Sequence, residues 1–299
     1  MQDDFLNKRK KQELEHFTKS AANLTCSESL KSLVVIEINL TELCNRKCVF
    51  CPRVDPEVFP NRNLHMSLNL SEKISLNLRD INYQGRISFS GFGEPLLAKN
   101  LLSHIKNFRK NLNDINLETN TNGDKLTPQT IKDLFNSGLS NLYINAYDGE
   151  YQIPIIEEII DKSAVNKSCF YIRPHWEGYH KNWGLYLNNR SGLVKYVQNE
   201  YLAPINEPMK RKCYYPFYKM FIDFDGRVLF CSNDWGRINI VGDVNIEKIE
   251  KIWMGDKLNY FRRKLSNKDR NEKPCNTCSI DGTLHGQKSY DILKDHFKL

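Results

Sequence analysis

Seven of the nine cysteines fall into two groups whose spacing belongs to chemistry rather than to packing. Cys44, Cys48 and Cys51 form a CxxxCxxC run directly after a β-rich segment, and the intervening Asn45, Arg46 and Lys47 mark that run as an exposed loop. Three thiolates on one short loop can hold three irons of a cubane cluster and leave the fourth open to a small molecule. A zinc site would bring a fourth Cys or His close by, and none follows before His65. The second group is Cys213, Cys231, Cys275 and Cys278, the last two as a CxxC knuckle beside Pro274. Four thiolates satisfy either one zinc or one fully ligated four-iron cluster. Spacing leaves both open, and the first loop favours the cluster. Of the remaining two, Cys169 opens a strand and reads as a buried apolar residue, while Cys26 precedes the fold and reads as exposed.

The elements that carry these groups alternate in period. Residues 34–40 are β-rich, and Leu70, Ile74, Leu78 and Ile81 then recur at helical spacing. Residues 86–90 alternate like a strand and end in Gly91-Phe-Gly-Glu-Pro95, before a helix over 99–112. Residues 115–121 read as strand, Thr127-Pro128 as a helix start and Gly138 as its end. Strands follow at 142–146 and 170–172, with an Ile-rich helix over 153–160 between them. This order implies an α/β fold with a parallel sheet, doubly wound or closing toward a barrel, with the working residues on loops at the C-terminal strand ends. From Trp176 to Pro208 the pattern breaks. Residues 218–230 then read as a hairpin about Asp225-Gly226, and 246–253 as a helix. The expected organisation is an N-terminal helical extension over 1–32, a first domain over 33–205 and a small α+β domain over 206–299.

Of the 299 residues 40% are hydrophobic and 26% charged, so disordered and low-complexity classes are excluded. The longest apolar stretch, residues 33–36, is too short for a membrane span or signal core. A cytoplasmic protein is expected, and there thiols stay reduced and bind metal. The net charge of +7 is spread along the chain, and 32 Asn against 6 Ala point to the codon usage of an AT-rich genome rather than to a nucleic-acid surface. The one dense run, residues 8–11, reads as the solvated face of a helix whose other side carries Phe5, Leu6, Leu14 and Phe17.

The loop Cys44-Asn-Arg-Lys-Cys48-Val-Phe50-Cys51 resembles the signature of the radical S-adenosylmethionine (SAM) enzymes, in which the aromatic residue before the third cysteine lies beside the adenine. Gly91-Phe92-Gly93-Glu94-Pro95 resembles that family's GGEP segment, which holds the methionine amino group, with Phe92 in place of one glycine. Gly93 suits a close backbone approach and Glu94 an ammonium. The resemblance extends to Asn122 and Asn145, at strand positions where family members contact the ribose and carboxylate of SAM. The second cysteine group, with Gly226, Gly242-Asp243-Val244, Trp253 and Arg262, resembles the C-terminal auxiliary-cluster domains of the SPASM and twitch group. No cysteine follows Cys278, which implies one auxiliary cluster.

The resemblance implies a partial (β/α) barrel of parallel strands over 33–205 with a small C-terminal α+β auxiliary-cluster domain, two 4Fe-4S clusters, SAM and an electron donor such as flavodoxin or ferredoxin. Arg173, His175 and Arg190 are candidate substrate residues, with His175 as proton acceptor and Arg190 as a clamp for a carboxylate or phosphate. Trp176, Tyr179, His180 and Trp183 share that segment. The stretch before the first strand is too short for a leader-peptide-binding domain. The expected substrate is therefore a small polar molecule, a sugar, cyclitol or nucleotide sugar, oxidised at a carbinol carbon. Peptide modification, epimerisation with Cys169 as hydrogen donor, and a non-enzymatic RNA-binding module are the alternatives. The expected partners include neither a membrane nor nucleic acid.

Overall fold

The computed structural model describes residues 2–22, 28–179, 188–194 and 203–298. Cys26, His180 and Trp183 lie outside the described residues, as do the side chains of Phe5 and Leu6. Helix α1 (Gln2–Ala22) and the short α2 (Glu28–Lys31) lead into β1 (Val35–Ile38). Strand and helix then alternate through α3 (Leu68–Asp80), β2 (Arg86–Phe89), α4 (Leu101–Asn111), β3 (Leu117–Thr121), α5 (Pro128–Asn136), β4 (Asn141–Ala146), α6 (Gln152–Ser163) and β5 (Phe170–Pro174). The C-terminal part adds α7 (Tyr215–Tyr218), β6 (Lys219–Ile222), β7 (Arg227–Leu229), β8 (Ile240–Asp243), α8 (Ile249–Met254), α9 (Asp256–Ser266) and α10 (Gln287–Phe297). No described helix is long and apolar enough to cross a membrane.

All the described strands form one sheet in the order β5-β4-β3-β2-β1-β6-β7-β8. Strands β1 to β5 run parallel, and β6 pairs parallel with β1, Val35 opposite Lys219 and Ile38 opposite Ile222. The pairings of β7 with β6 and with β8 are antiparallel. The expected hairpin is therefore present, but its first strand also extends the parallel sheet. Local sequence reports the turn at Asp225-Gly226 and says nothing of a partner strand near the start of the chain.

The helices form where the apolar spacing places them. Ser67 caps α3 by accepting from the Leu70 N–H at 3.2 Å, and Leu70, Ile74 and Leu78 are buried. Thr127 caps α5 from the Thr130 N–H at 3.0 Å, and Gly138 ends it at φ +105°. One sheet face is apolar: Ile36, Ile38, Ile87, Phe89, Leu117, Leu142 and Ile144 pack into the core.

The other face departs from the continuous apolar pattern usual for parallel sheets. Glu37, Ser88, Glu118, Asn120, Asn145 and Arg173 alternate with the core residues and line a cavity of about 910 Å³. Glu118 is fully buried and accepts from Arg9 at 2.8 Å and Arg86 at 2.9 Å. Burial alone would raise its pKa, but the two guanidinium groups outweigh it and hold the carboxyl down at about 2. Helix α1 thus turns part of its basic run inward. Lys8 lies over the ring of Tyr171, and Arg9 stands 4.5 Å from the ring centre of Tyr143. The expected solvated face is corrected here: Lys10 and Lys11 stay on the outside, whereas Lys8 and Arg9 are drawn in because a buried carboxylate needs cations. Leu14, expected on the apolar side, is exposed.

Arg9→Ala should therefore cost about 2–3 kcal/mol in denaturant unfolding, since Arg86 alone remains on Glu118, while Lys10→Ala should stay within about 0.5 kcal/mol. Glu118 has its pKa depressed from 4.5, so its contribution is full above that value and is lost as pH falls through about 2. The Arg9→Ala difference should shrink over that range.

Candidate active site at the C-terminal strand ends

The chain leaves β1 through Asn39 and Thr41, and Thr41 bridges to His65 while Glu42 accepts on its carboxylate from Arg62 at 2.6 Å and from Arg237. Arg53, also buried, donates to the carbonyls of Glu42, at 2.6 Å, and of Phe92. Asn61 Oδ1 accepts from the Cys44 N–H at 2.9 Å and from Arg53 at 3.2 Å. On the outer side Arg46 pairs with Asp124 at 2.5 Å and Asp148 at 2.7 Å. The cysteine loop is thus clamped from both sides.

Its thiols are costly to ionise as they stand. Burial pushes Cys48 up to about 12, with the neighbouring Cys51 and Cys44 adding to the effect. Cys44 and Cys51 are raised by burial as well. Three half-buried sulfurs that repel one another as anions need a cationic centre to become thiolates together, and iron supplies one.

The Gly91–Pro95 segment is folded against this loop. Asn39 Oδ1 accepts from the N–H groups of Phe92 and Gly93 at 3.0 and 3.1 Å. A Cβ on Gly93 would stand 2.1 Å from the Thr41 carbonyl oxygen, so its glycine is required by the chain itself. Gly91 adopts φ +145° beside Asn39, a conformation that side chains rarely reach. Glu94 accepts from Thr121 Oγ1 at 2.7 Å, Leu96 N–H at 3.0 Å and Asn122 N–H at 2.8 Å. A carboxylate offers about four acceptor positions, so these three leave room for one further donor. Phe92, where the GGEP segment has glycine, inserts into an aromatic cluster, 4.4 Å from Trp235 and 4.7 Å from Phe221 between ring centres. That packing joins the loop to β6.

Around the cavity, Phe50, Gly91, Asn145, Arg173, His175 and Arg190 are brought together. Asn122 instead donates to Asn45 Oδ1 at 2.8 Å and ties the third strand to the cysteine loop. Asn145 donates to the Thr121 carbonyl at 3.1 Å, and its buried Oδ1 accepts no hydrogen bond among the described residues. Arg173 donates to Asn120 at 2.8 Å, and burial lowers it to about 10. Tyr147, absent from the sequence reading, stands 5.8 Å from Phe50 and 5.9 Å from His175 between ring centres. It directly follows β4, and that strand-end position is the signal available in the sequence.

Cys169 precedes β5, at its N-terminal end beside Lys8. The whole of β5, rising about 3.3 Å per residue, separates it from the end of the sheet that carries the cysteine loop. The placement of Cys169 at the opposite strand end does not favour the alternative in which it donates hydrogen.

The second thiol set is gathered in the C-terminal part of the chain. Burial raises Cys213 to about 11 and raises Cys231 and Cys275, and each of these two is raised further by the other thiols of the set. A Cβ on Gly282 would stand 2.6 Å from Cys213 Sγ. Arg270 gathers the segments by donating to the carbonyls of Lys212, Ile280 and Asp281 at 2.7–2.8 Å. Among the described residues no three His, Cys, Asp or Glu side chains converge as a single metal ion requires. The all-thiol donor sets fit a larger iron-sulfur group. Ser232, Asn233 and Ser279, close in sequence to Cys231 and Cys278, line the same cavity as Phe50. The loop carrying Arg190 is fastened here: Asn189 Nδ2 donates to the Thr277 carbonyl at 2.8 Å, and the Ser279 N–H donates to Asn189 Oδ1 at 3.0 Å.

A family model of the radical SAM superfamily matches residues 38–164, and one for an iron-sulfur cluster-binding domain, SPASM, matches residues 213–279. The S-adenosyl-L-methionine-dependent 2-deoxy-scyllo-inosamine dehydrogenase of Niallia circulans is 26% identical over 269 residues, 88% of this chain and 99% of that protein. A GTP 3',8-cyclase of Campylobacter jejuni is 35% identical over 113 residues, which cover 37% of this chain and 33% of that one. The crystal structure of BtrN with AdoMet and 2-DOIA shares the fold, with a TM-score of 0.70 at 22% identity over 85% of this chain and 96% of that one.

Anaerobically reconstituted protein should carry about eight irons and eight sulfides per chain. Replacing Cys44, Cys48 and Cys51 by Ala should halve both. Arg53→Met, which removes the donors to Glu42 and Phe92, should lower iron at the first site selectively. Stoichiometric zinc with one cluster would contradict the assignment of the C-terminal four.

Proposed function

We propose, for a chain that belongs to the radical SAM superfamily and carries a C-terminal SPASM-type cluster-binding domain, the two-electron oxidation of a carbinol carbon in a small polyhydroxylated substrate. An aminocyclitol or related sugar is the substrate class. The observation that carries the reading is that one cavity is lined both by Phe50, next to Cys51, and by Ser232, Asn233 and Ser279, close in sequence to Cys231 and Cys278. When bound, SAM and the first cluster supply a 5'-deoxyadenosyl radical that takes a hydrogen atom from carbon, and the second cluster supplies an acceptor for the electron that follows.

The chain's own residues account for the rest. Lys8, Arg9 and Glu118 line the end of the cavity at the N-terminal strand ends. Arg173, held by Asn120, presents a cation to the substrate hydroxyls. His175, buried beside Tyr147, takes the hydroxyl proton. One hydrogen atom thus leaves to 5'-deoxyadenosine, one proton to His175 and one electron to the second cluster, and the alcohol becomes a ketone. The similarity over 88% of the chain to a dehydrogenase of an aminocyclitol supports this class. A small electron-transfer protein such as flavodoxin or ferredoxin reduces the first cluster, and the reaction takes place in the cytoplasm.

With 2-deoxy-scyllo-inosamine as first probe and other aminocyclitols beside it, the product should be lighter by two hydrogens, with one 5'-deoxyadenosine formed per product. In a Cys275→Ala/Cys278→Ala variant 5'-deoxyadenosine should persist while ketone is lost. His175→Ala should lower kcat by about a hundredfold. An isobaric product carrying solvent deuterium at carbon would refute the oxidation.

A further inference from the structure

On the cavity wall, among the described residues, the amide oxygens of Asn145 and Asn233 are buried and accept no hydrogen bond. Buried polar atoms in folded chains are nearly always paired, so an orphaned acceptor facing a cavity marks where a ligand donor fits. Asn145 belongs to the strand ends already read as the SAM side. Asn233, 4% exposed, belongs to the C-terminal wall, just after Cys231.

Its surroundings fix its orientation. The Asn233 N–H donates to Cys231 Sγ at 3.4 Å, and the side-chain Nδ2 stands 4.0 Å from the same sulfur. With the amide nitrogen turned to sulfur, the amide oxygen of this cavity-lining residue is left without a donor among the described residues. The Asn233 carbonyl accepts from Ser191 Oγ at 3.0 Å, and the Ser191 carbonyl accepts from Thr277 Oγ1 at 2.7 Å. Asp234, the next residue, holds the following turn by accepting from the N–H groups of Ile238 and Asn239 at 3.0 and 2.8 Å. The residue is therefore held rigidly between a thiol ligand and the substrate space.

We propose that Asn233 is the specificity-determining contact on the auxiliary-cluster side: its Oδ1 accepts from a hydroxyl or ammonium group of the substrate while its N–H groups donate to Cys231 Sγ. The assignment rests on the oxidation proposed above and adds the residue that links substrate to electron acceptor. N–H donors to a ligating sulfur favour the more negative, reduced cluster and so raise its potential. A substrate donor on Oδ1 polarises the amide and strengthens its N–H bond to sulfur. Substrate binding then makes the second cluster a better acceptor.

The test uses holoenzyme loaded with SAM, without reductant, and 2-deoxy-scyllo-inosamine as probe. Asn233→Leu, similar in volume and without polar atoms, should weaken probe binding at least tenfold and raise KM more than it lowers kcat, with iron content unchanged. Asn233→Asp keeps the oxygen and loses the side-chain N–H, so it should recover binding to within about threefold. In redox titrations both variants should lower the potential of the second cluster and leave the first unmoved. Probe binding by Asn233→Leu equal to wild type, or an unshifted second-cluster potential, overturns the proposal. If wild type does not bind the probe, the substrate reading of the preceding section falls, and the potential shift alone decides the role of Asn233.

Discussion

A buried glutamate between two guanidinium groups sets the terms for the rest of the molecule. Glu118 lies on the inner face of the sheet with Arg86 from β2 and Arg9 from α1 on its two oxygens. Were that face apolar, side chains would fill the interior as they do in a closed barrel. Because it carries Glu37, Ser88, Glu118, Asn120 and Arg173, the interior is kept as a polar cavity, with an N-terminal helix supplying the charge that neutralises it. Removing a charged partner is costly in such an interior, so the ion pairs hold the space open and fix its walls.

The second constraint is the join between the two parts of the chain. Strand β6 pairs with β1, and the segment that follows it reaches back to the loop that precedes the first cysteine group. Asn39 donates to Asp223 at 2.8 Å, and Arg237 bridges Asp223 and Glu42. Phe92 and Trp235 pack between them. These contacts, rather than a flexible linker, bring Cys231 and its neighbours to the cavity that Phe50 also lines. Neighbours in sequence of two thiol sets that lie far apart in the chain thereby line one cavity.

Much of this is legible in the residues. The spacing of Cys44, Cys48 and Cys51, the recurrence of Leu70, Ile74, Leu78 and Ile81, and the Thr127-Pro128 start are local signals, and each element forms where its signal stands. The long-range features are not legible. Nothing near Lys219 reports its pairing opposite Val35, and Lys8 and Arg9 read as solvated because their partner, Glu118, is more than a hundred positions away. Phe92 reads as a defect in a glycine motif as long as its aromatic partners are out of sight. The polar alternation in the strands, Glu118 and Asn120 within Leu117–Thr121, is a readable sign of a wet interior. Tyr147 and Asn233 need the fold, since each matters through what it faces.

The central claim is that an electron passes from the substrate to the group held by Cys213, Cys231, Cys275 and Cys278. Freeze-quench electron paramagnetic resonance during a single turnover, with substrate deuterated at the carbinol carbon, tests it most directly. The account predicts that deuterium appears in 5'-deoxyadenosine and that a reduced second cluster forms in step with ketone, one for one. Ketone accumulating while the second cluster stays oxidised throughout would contradict it.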